Sequence, residues 1–303
     1  MKVRNVETHL AGQYTFVRVL TDEGLYGVGE VHPASGTSGT AFTVRGAIDY
    51  CAEYLIGKDP LEIERHWQHM FRRSIFRGGA DVMAAIGGLD MALWDIAGKA
   101  FLQPVHRLLG GPTREQVRVY AHIEGNTPET LVEDAMSKVN MGYTAVRFYP
   151  LDSFTDGMPG SMLGLIQTTV KRVEAVREAV GPEIDLMIDV MNRLTPPEAI
   201  AVGCAVEAYG LYFFEDPIEA DNIDAMAQVA SSIRVPVATG ERLYTIYQFR
   251  ELFNKSATAY ARPDLSLAGG ITNCKKIAAL AEASYIGVVP HNPLSPVLTA
   301  ACV

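Results

Sequence analysis

The chain has few cysteines, no long apolar run and no excess of positive charge. Its four cysteines are far apart and form no CxxC pair, which indicates reduced thiols and argues against a disulfide framework. No apolar run approaches the roughly 18 residues that a membrane-spanning helix needs, and the first residues lack the apolar core of a secretory signal. We therefore expect a soluble, cytoplasmic protein that does not act at a membrane.

The charge balance narrows the class of partner. Lys and Arg number 26 against 35 Asp and Glu, a net charge of −9, whereas a nucleic-acid-binding surface would need the opposite sign. An acidic total still permits an anionic small substrate, because a bound metal ion can invert the local field. No GxGxxG motif opens a helix, which argues against a dinucleotide-binding fold.

Two regions with different patterns make up the chain. Residues 14–31 alternate in polarity around turn residues 22–24 and predict a β-hairpin. From about residue 40 to residue 109 the apolar residues recur at helical spacing, and Gly110-Gly111-Pro112 ends the helices. We therefore place an amino-terminal α+β domain at residues 1–112 and a second domain at residues 113–303.

The second domain alternates short apolar runs with helical segments. The predicted strands are residues 117–123, 143–149, 184–190, 211–215, 235–241, 258–264 and 285–291. This alternation predicts a parallel sheet, and seven successive units favour a TIM-like (β/α)-barrel over an open sheet. At about 26 residues a unit the domain has room for little more than seven units. We therefore expect the eighth unit to be missing from a barrel truncated at its carboxyl end.

Polar residues recur where the later strands end. They are Asp189, Glu215, Glu241, Asp264 and His291, at steps of 26, 26, 23 and 27 residues. A single carboxylate after a strand is usually a helix N-cap. Five in register are harder to explain that way, because the carboxyl ends of barrel strands form one rim, where such folds have their active sites.

Three of these residues offer hard oxygen ligands from neighbouring strands. Asp189, Glu215 and Glu241 suit Mg²⁺, which binds a few carboxylates and keeps positions for water and substrate. A hydroxy-acid could fill those positions, and the ion would stabilise the charge that develops when the α-proton leaves.

His291 and Asp264 come from adjacent strands. An aspartate that accepts a hydrogen bond from one ring nitrogen fixes the tautomer and makes the other nitrogen more basic, which suits a general base. The alternative is a hydrogen-bonded turn histidine within Pro-His-Asn-Pro.

The motifs around these residues resemble those of a known family. They are AAIGGLDMALWDIAGK in the amino-terminal region, then DVMNR, FFEDP, TGER, RPDLSLAGG and VVPHNPLSP. The chain is similar along its length to the mandelate racemase and muconate lactonizing group of the enolase superfamily. The likeness is strongest to acid-sugar dehydratases of the galactonate dehydratase type.

The resemblance implies specific roles. Asp189, Glu215 and Glu241 would bind Mg²⁺, and His291 with Asp264 would be the base. The amino-terminal domain would cap the barrel rim, with the loop of residues 31–40 helping to set specificity. A small sugar acid would be the substrate, and the protein would be a homo-oligomer.

Two positions depart from the pattern of the family. Met191 stands where galactonate-type dehydratases have a histidine that protonates the departing hydroxyl, and a thioether cannot transfer a proton. Arg147 and Tyr149 lie where other members carry a lysine pair. Arg147 is too basic to act as a base, so we expect it to bind the substrate carboxylate or tune a neighbour. Tyr149 could be an acid or a base, or could serve in packing.

These departures favour a Mg²⁺-dependent dehydratase in which His291 removes the α-proton and returns it to the β-hydroxyl on the same face. A racemase, epimerase or cycloisomerase on the same scaffold stays open, as does a catalytically weak metal-binding member. His32, at the start of the loop, could reach the substrate, but we favour a solvated loop residue. We interpret His66, His69, His106 and His122 as structural.

Overall fold

The amino-terminal region is an antiparallel sheet covered by helices. The computed structural model describes residues 1–33, 41–73, 75–151 and 161–303. The sheet has the order β1-β2-β3, with β1 at Val3–Ala11, β2 at Tyr14–Thr21 and β3 at Tyr26–Val31. Alternate residues of β2 are buried, which confirms the predicted hairpin, whereas β1 was not predicted.

In the described part of this region, four helices follow the sheet: α1 Ala41–Leu55, α2 Ile63–Arg72, α3 Gly79–Ala100 and α4 Val105–Leu108. Every residue of α3 from Met83 to Leu93 is buried, because one side packs on the sheet and the other on the second domain. A Cβ on Gly29 would lie 1.9 Å from the carbonyl oxygen of Gly88, and one on Gly87 would lie 1.8 Å from that of Ser266. Glycine at these positions therefore permits the close approach. The domain boundary after residue 112 stays a prediction.

Over its described residues, the second domain is built on a parallel sheet of seven strands in sequential order. They are β4 Ala121–His122, β5 Ala145–Phe148, β6 Asp185–Asp189, β7 Phe213–Glu215, β8 Val237–Thr239, β9 Tyr260–Ala261 and β10 Gly287–Val288. The strands occur where the sequence predicts them. The first is shorter than the predicted run of residues 117–123, since only Ala121 and His122 pair with β5.

Helices follow each strand and cover the outside of the sheet. They are α5 Pro128–Asn140, α6 Met162–Val180, α7 Pro196–Val206, α8 Ile223–Ser232, α9 Ile246–Asn254, α10 Gly270–Ala283 and α11 Pro296–Cys302. Thr127, Ser161, Asn222 and Thr245 accept hydrogen bonds from backbone N–H groups in the first turns of their helices, which fixes where those helices begin. The main core lies between strands and helices.

The sheet curls, so that residues near its two edges meet. Arg262, just after β9, donates a hydrogen bond from Nη2 to the hydroxyl of Tyr120, just before β4, over 3.0 Å. Among the described residues, β4 and β10 do not pair with each other. The fold class is confirmed as a (β/α)-barrel type, here with seven strands, joined to an amino-terminal α+β domain. None of the helices in the described ranges is long and apolar enough to cross a bilayer.

Buried polar contacts join the two domains. The Glu30 carboxylate at the end of β3 accepts hydrogen bonds from the backbone N–H groups of Ser295 and Leu298 and from the Ser295 hydroxyl. Trp67 of α2 donates from its indole nitrogen to the carbonyl of Gly269 at 2.7 Å. These contacts hold the amino-terminal domain against the loops that follow the later strands.

Candidate active site

A cleft opens at the carboxyl ends of the strands. Its lining is made up of Tyr120, His122, Arg147, Tyr149, Asp189, Met191, Glu241, Arg262, His291, Asn292 and Pro293. Parallel pairing accounts for the convergence. Asp189 is the register partner of Glu215, and Asp264 forms a parallel bridge with His291. Most of the residues predicted from their spacing therefore line this cleft or contact its lining.

Two of the predicted metal ligands share one arginine. Arg147 donates from Nη2 to Asp189 and from Nε to Glu215. All three side chains are buried. Burial raises the pKa of Asp189 well above its ordinary value, and the neighbouring Glu215 carboxylate raises it further, while Arg147 acts in the opposite direction. The two carboxylates are thus crowded enough to need a nearby cation.

Glu215 has a second cationic neighbour, Arg262, whose Nε lies 2.5 Å from Glu215 Oε1. Despite this ion pair, Oε1 is buried and accepts no well-directed hydrogen bond among the described residues. The third predicted ligand, Glu241, stands apart from Arg147, with Oε2 at 3.3 Å from His291 Nε2.

The donor set suits a hard divalent cation by its chemistry, while its three carboxylates, all of them among the described residues, do not form a group of ligand atoms within 4.8 Å of one another. Asp189, Glu215 and Glu241 offer oxygen donors, and a carboxylate has lone pairs beyond those that one guanidinium occupies. The undirected Oε1 of Glu215 and the crowding around Asp189 are both features that a cation would relieve. The chemistry of these residues therefore matches a hard divalent cation.

His291 and Asp264 form a directed pair. His291 Nδ1 lies 3.0 Å from Asp264 Oδ2, and Asp264 Oδ1 accepts the backbone N–H of Leu267 at 2.8 Å. Asp264 is fully buried, which fixes its orientation, and the other ring nitrogen of His291, Nε2, lies 3.3 Å from Oε2 of the lining residue Glu241. Burial by itself lowers the pKa of His291, but the hydrogen bond with Asp264 and the charge of Glu241 raise it above its ordinary value.

His32, from the amino-terminal domain, also approaches this pair. Its Nε2 lies 3.8 Å from Asp264 Oδ2, and its side chain is 20% exposed, so the interpretation as a solvated loop residue was wrong. The potential ligand atoms of His32, Asp264 and His291 all lie within 4.8 Å of one another. Burial lowers the pKa of His32, which favours a neutral imidazole beside the pair. The rest of the predicted specificity loop, residues 34–40, lies outside the described residues.

Arg147 also organises the side of the cleft near β4. Its Nη1 lies 2.8 Å from His122 Nε2 and donates to the Tyr149 hydroxyl at 3.3 Å. Burial, followed by the charge of Arg147, lowers the pKa of His122 to about 4. Met191 lines the same cleft, with a left-handed backbone (φ 56°) and an N–H that donates to Asp189 Oδ1 at 2.7 Å.

Five lining residues had no predicted role in the site: Tyr120, His122, Arg262, Asn292 and Pro293. His122 ends the first barrel strand, the same kind of position as Asp189, so strand position could have identified it. Arg262 lies two residues before Asp264 in the motif RPD, and the interpretation of that motif considered only its aspartate. Nothing in the sequence pattern marks Tyr120.

Both regions of the chain match known domain families. Residues 3–110 match the mandelate racemase / muconate lactonizing enzyme N-terminal domain, and residues 130–303 match the enolase C-terminal domain-like family. D-galactonate dehydratase from Variovorax paradoxus (strain S110) is 38% identical over 303 residues, covering all of this chain and 78% of that protein.

Solved structures are similar as well. An enolase from Agrobacterium radiobacter, with Na and L-malate bound, has a TM-score of 0.92 and 30% identity, covering 100% of this chain and 77% of that one. The 3,6-anhydro-D-galactonate cycloisomerase from Zobellia galactanivorans has a TM-score of 0.87 and 31% identity, covering 99% and 83%. With both domain families matched in order, this chain belongs to the enolase superfamily, in its mandelate racemase and muconate lactonizing enzyme group.

Proposed function

We propose that this protein is a Mg²⁺-dependent dehydratase of a sugar acid. The observation that carries the proposal is the His291–Asp264 pair beside the carboxylates of Asp189, Glu215 and Glu241, in a chain similar throughout to D-galactonate dehydratase. The L-malate bound to the Agrobacterium relative is a hydroxy-acid, which agrees with a substrate of that class.

Asp189, Glu215 and Glu241 hold the ion in this proposal. When bound, Mg²⁺ supplies positive charge against the negative charge that develops on the substrate carboxylate. His291 Nε2 takes the proton from the carbon next to that carboxylate, while Asp264 keeps the ring oriented. The buried Asp264 carboxylate orients His291 at 3.0 Å, whereas His32 lies 3.8 Å from the same carboxylate. For this reason we assign His291, and not His32, as the base.

Loss of the β-hydroxyl needs a proton. Met191 has none to give, so His291 returns its proton to the hydroxyl on the same face. The β C–O bond breaks, water leaves, and the resulting enol converts to a 2-oxo-3-deoxy acid. Tyr149 is the alternative acid, although burial raises its pKa and so weakens it in that role. Arg147 holds Tyr149 and the two carboxylates in place.

A panel of aldonic and aldaric acids, incubated with the protein with and without added Mg²⁺ after chelation, tests the proposal. We expect Mg²⁺-dependent formation of a 2-oxo acid from at least one substrate. Exchange of the α-proton without loss of hydroxyl would instead indicate a racemase or epimerase. An isomer of unchanged composition would indicate a cycloisomerase, the activity named for the Zobellia relative. Tight Mg²⁺ binding without any turnover would indicate the catalytically weak alternative.

The assembly is part of the same proposal. The enzyme acts in the cytoplasm as a homo-oligomer. Light scattering coupled to size-exclusion chromatography measures the number of subunits directly.

A further inference from the structure

Two buried arginines surround a single proposed metal ligand. Arg147 contacts Oε2 of Glu215 through Nε, and Arg262 lies 2.5 Å from Oε1 through its own Nε. Glu215 is 0% exposed, Arg147 3% and Arg262 1%. Both oxygens of this carboxylate therefore face a permanent positive charge, because a guanidinium does not deprotonate in a protein.

Further side-chain contacts hold both arginines in place beside Glu215. Arg147 also contacts Asp189 and His122, and Arg262 donates to the Tyr120 hydroxyl at 3.0 Å. Arg147 lies on β5 and its partners on β4 and β6, whereas Arg262 follows β9 and its partner Tyr120 precedes β4.

The arginines are the cationic partners of two of the three proposed ligands. Arg147 contacts Asp189 and Glu215, Arg262 contacts Glu215, and Glu241 faces His291 at 3.3 Å. A divalent cation entering this cluster has to share Asp189 and Glu215 with the guanidinium groups and is repelled by both.

We propose that Arg147 and Arg262 take the place of the divalent cation in the metal-free protein, and that Arg262 weakens metal binding by competing for Glu215. This inference rests on the proposed function, since it assumes that Asp189, Glu215 and Glu241 are the metal ligands. The carboxylate cluster is then assembled before the metal arrives, and the metal exchanges readily. Arg262 is the better residue to change, because Arg147 also holds His122 and Tyr149.

The test is metal binding to full-length protein without substrate. Titration with Mg²⁺ by calorimetry and with Mn²⁺ by electron paramagnetic resonance gives the dissociation constants of the wild type and of Arg262→Gln. We expect Arg262→Gln to bind metal at least about tenfold more tightly, since a unit positive charge is removed from contact with a ligand. Arg262→Lys keeps the charge and should stay within about threefold of the wild type.

Arg177→Gln is the matched control. Arg177 is a partly buried arginine of α6 that donates to the carbonyls of Gly181, Ile184 and Tyr209, so its loss should leave metal affinity unchanged. In chelator, Arg262→Gln should have a lower unfolding temperature than the wild type, and excess Mg²⁺ should raise that temperature more in the variant.

The outcomes separate the two proposals. A wild type that binds neither Mg²⁺ nor Mn²⁺ at millimolar concentrations contradicts the proposed metal-dependent function. A wild type that binds metal, with a folded Arg262→Gln that binds no more tightly, overturns the competition alone. Should Arg262→Gln not fold, Arg262→Met replaces it. If either variant folds only when metal is present, the proposal is supported. If neither variant folds even with metal present, Arg262 is a structural support and the proposal is wrong.

Discussion

Replacing Glu30 by Gln tests how the amino-terminal domain is held on the barrel. The carboxylate is 0% exposed and accepts the Ser295 hydroxyl at 2.6 Å, the Leu298 N–H at 3.0 Å and the Ser295 N–H at 3.1 Å. Ser295 is the N-cap of α11, so Glu30 also lies at the positive end of that helix.

The size of the effect follows from these contacts. Gln keeps the shape and one accepting oxygen, but it loses the negative charge and turns an NH₂ group toward the Ser295 N–H. A hydrogen bond to a charged group contributes about 1.5–3 kcal/mol, against about 1 kcal/mol for a neutral one. Loss of the negative charge at the N-terminus of α11 adds a smaller destabilisation. Together, these effects should lower the free energy of unfolding of Glu30→Gln by about 2–3 kcal/mol.

Urea unfolding followed by circular dichroism measures this change. Glu62→Gln is the control, because Glu62 is exposed and forms a surface ion pair with Arg65, and such surface pairs contribute about 0–1 kcal/mol. Ser295→Ala combined with Glu30→Gln in a double-mutant cycle gives the coupling between the two side chains. A loss below about 0.5 kcal/mol for Glu30→Gln, or no coupling with Ser295, would refute the reasoning.

The other predictions concern pH and the proton donor. Burial raises the pKa of Asp90 to about 7, against hydrogen bonds from Thr272 that lower it. Because ionised Asp90 is disfavoured in the folded state, the protein loses stability as pH rises from about 4 to 7. Asp90→Asn avoids this loss and should be more stable than the wild type by about 2–4 kcal/mol at pH 8. Thermal unfolding from pH 4.5 to 8 should show that difference shrinking toward acid pH, and a constant difference would contradict it. Met191→His should change kcat for dehydration by less than about tenfold, because His291 makes both proton transfers, whereas a gain of about 100-fold would show that an acid on the opposite face limits the wild type. Tyr149→Phe should likewise keep kcat within about tenfold, and a loss of about 10³-fold would make Tyr149 the acid.

Local patterns were enough to predict most of the fold. The hairpin of β2 and β3 alternates clearly, and the seven described barrel strands lie within the predicted apolar runs. Strand β1 was missed because most of its residues are exposed or half-buried, so it shows no alternation. The first barrel strand was predicted too long because Val117 and Val119 look like strand residues, yet they remain 47% and 59% exposed and unpaired.

The site was predictable as far as strand spacing determines it. The steps from Asp189 to His291 follow from the length of a βα unit, and the register brings neighbouring strand ends together. The contacts of Arg147 with Asp189 and Glu215, and of Arg262 with Glu215, depend on side chains that reach across several strands. Such contacts depend on how far the sheet curls, which no local pattern in the sequence specifies.

Exchange of the α-proton in D₂O tests the central claim most directly. The protein is incubated with Mg²⁺ and a sugar acid that it turns over, and deuterium at the α-carbon and formation of 2-oxo acid are followed by NMR. His291→Asn should abolish both signals, a loss of about 10²–10⁴-fold or more, while His9→Asn, a change at an exposed histidine, should leave both unchanged. Exchange or dehydration that continues at the wild-type rate in His291→Asn would contradict the assignment of His291 as the base.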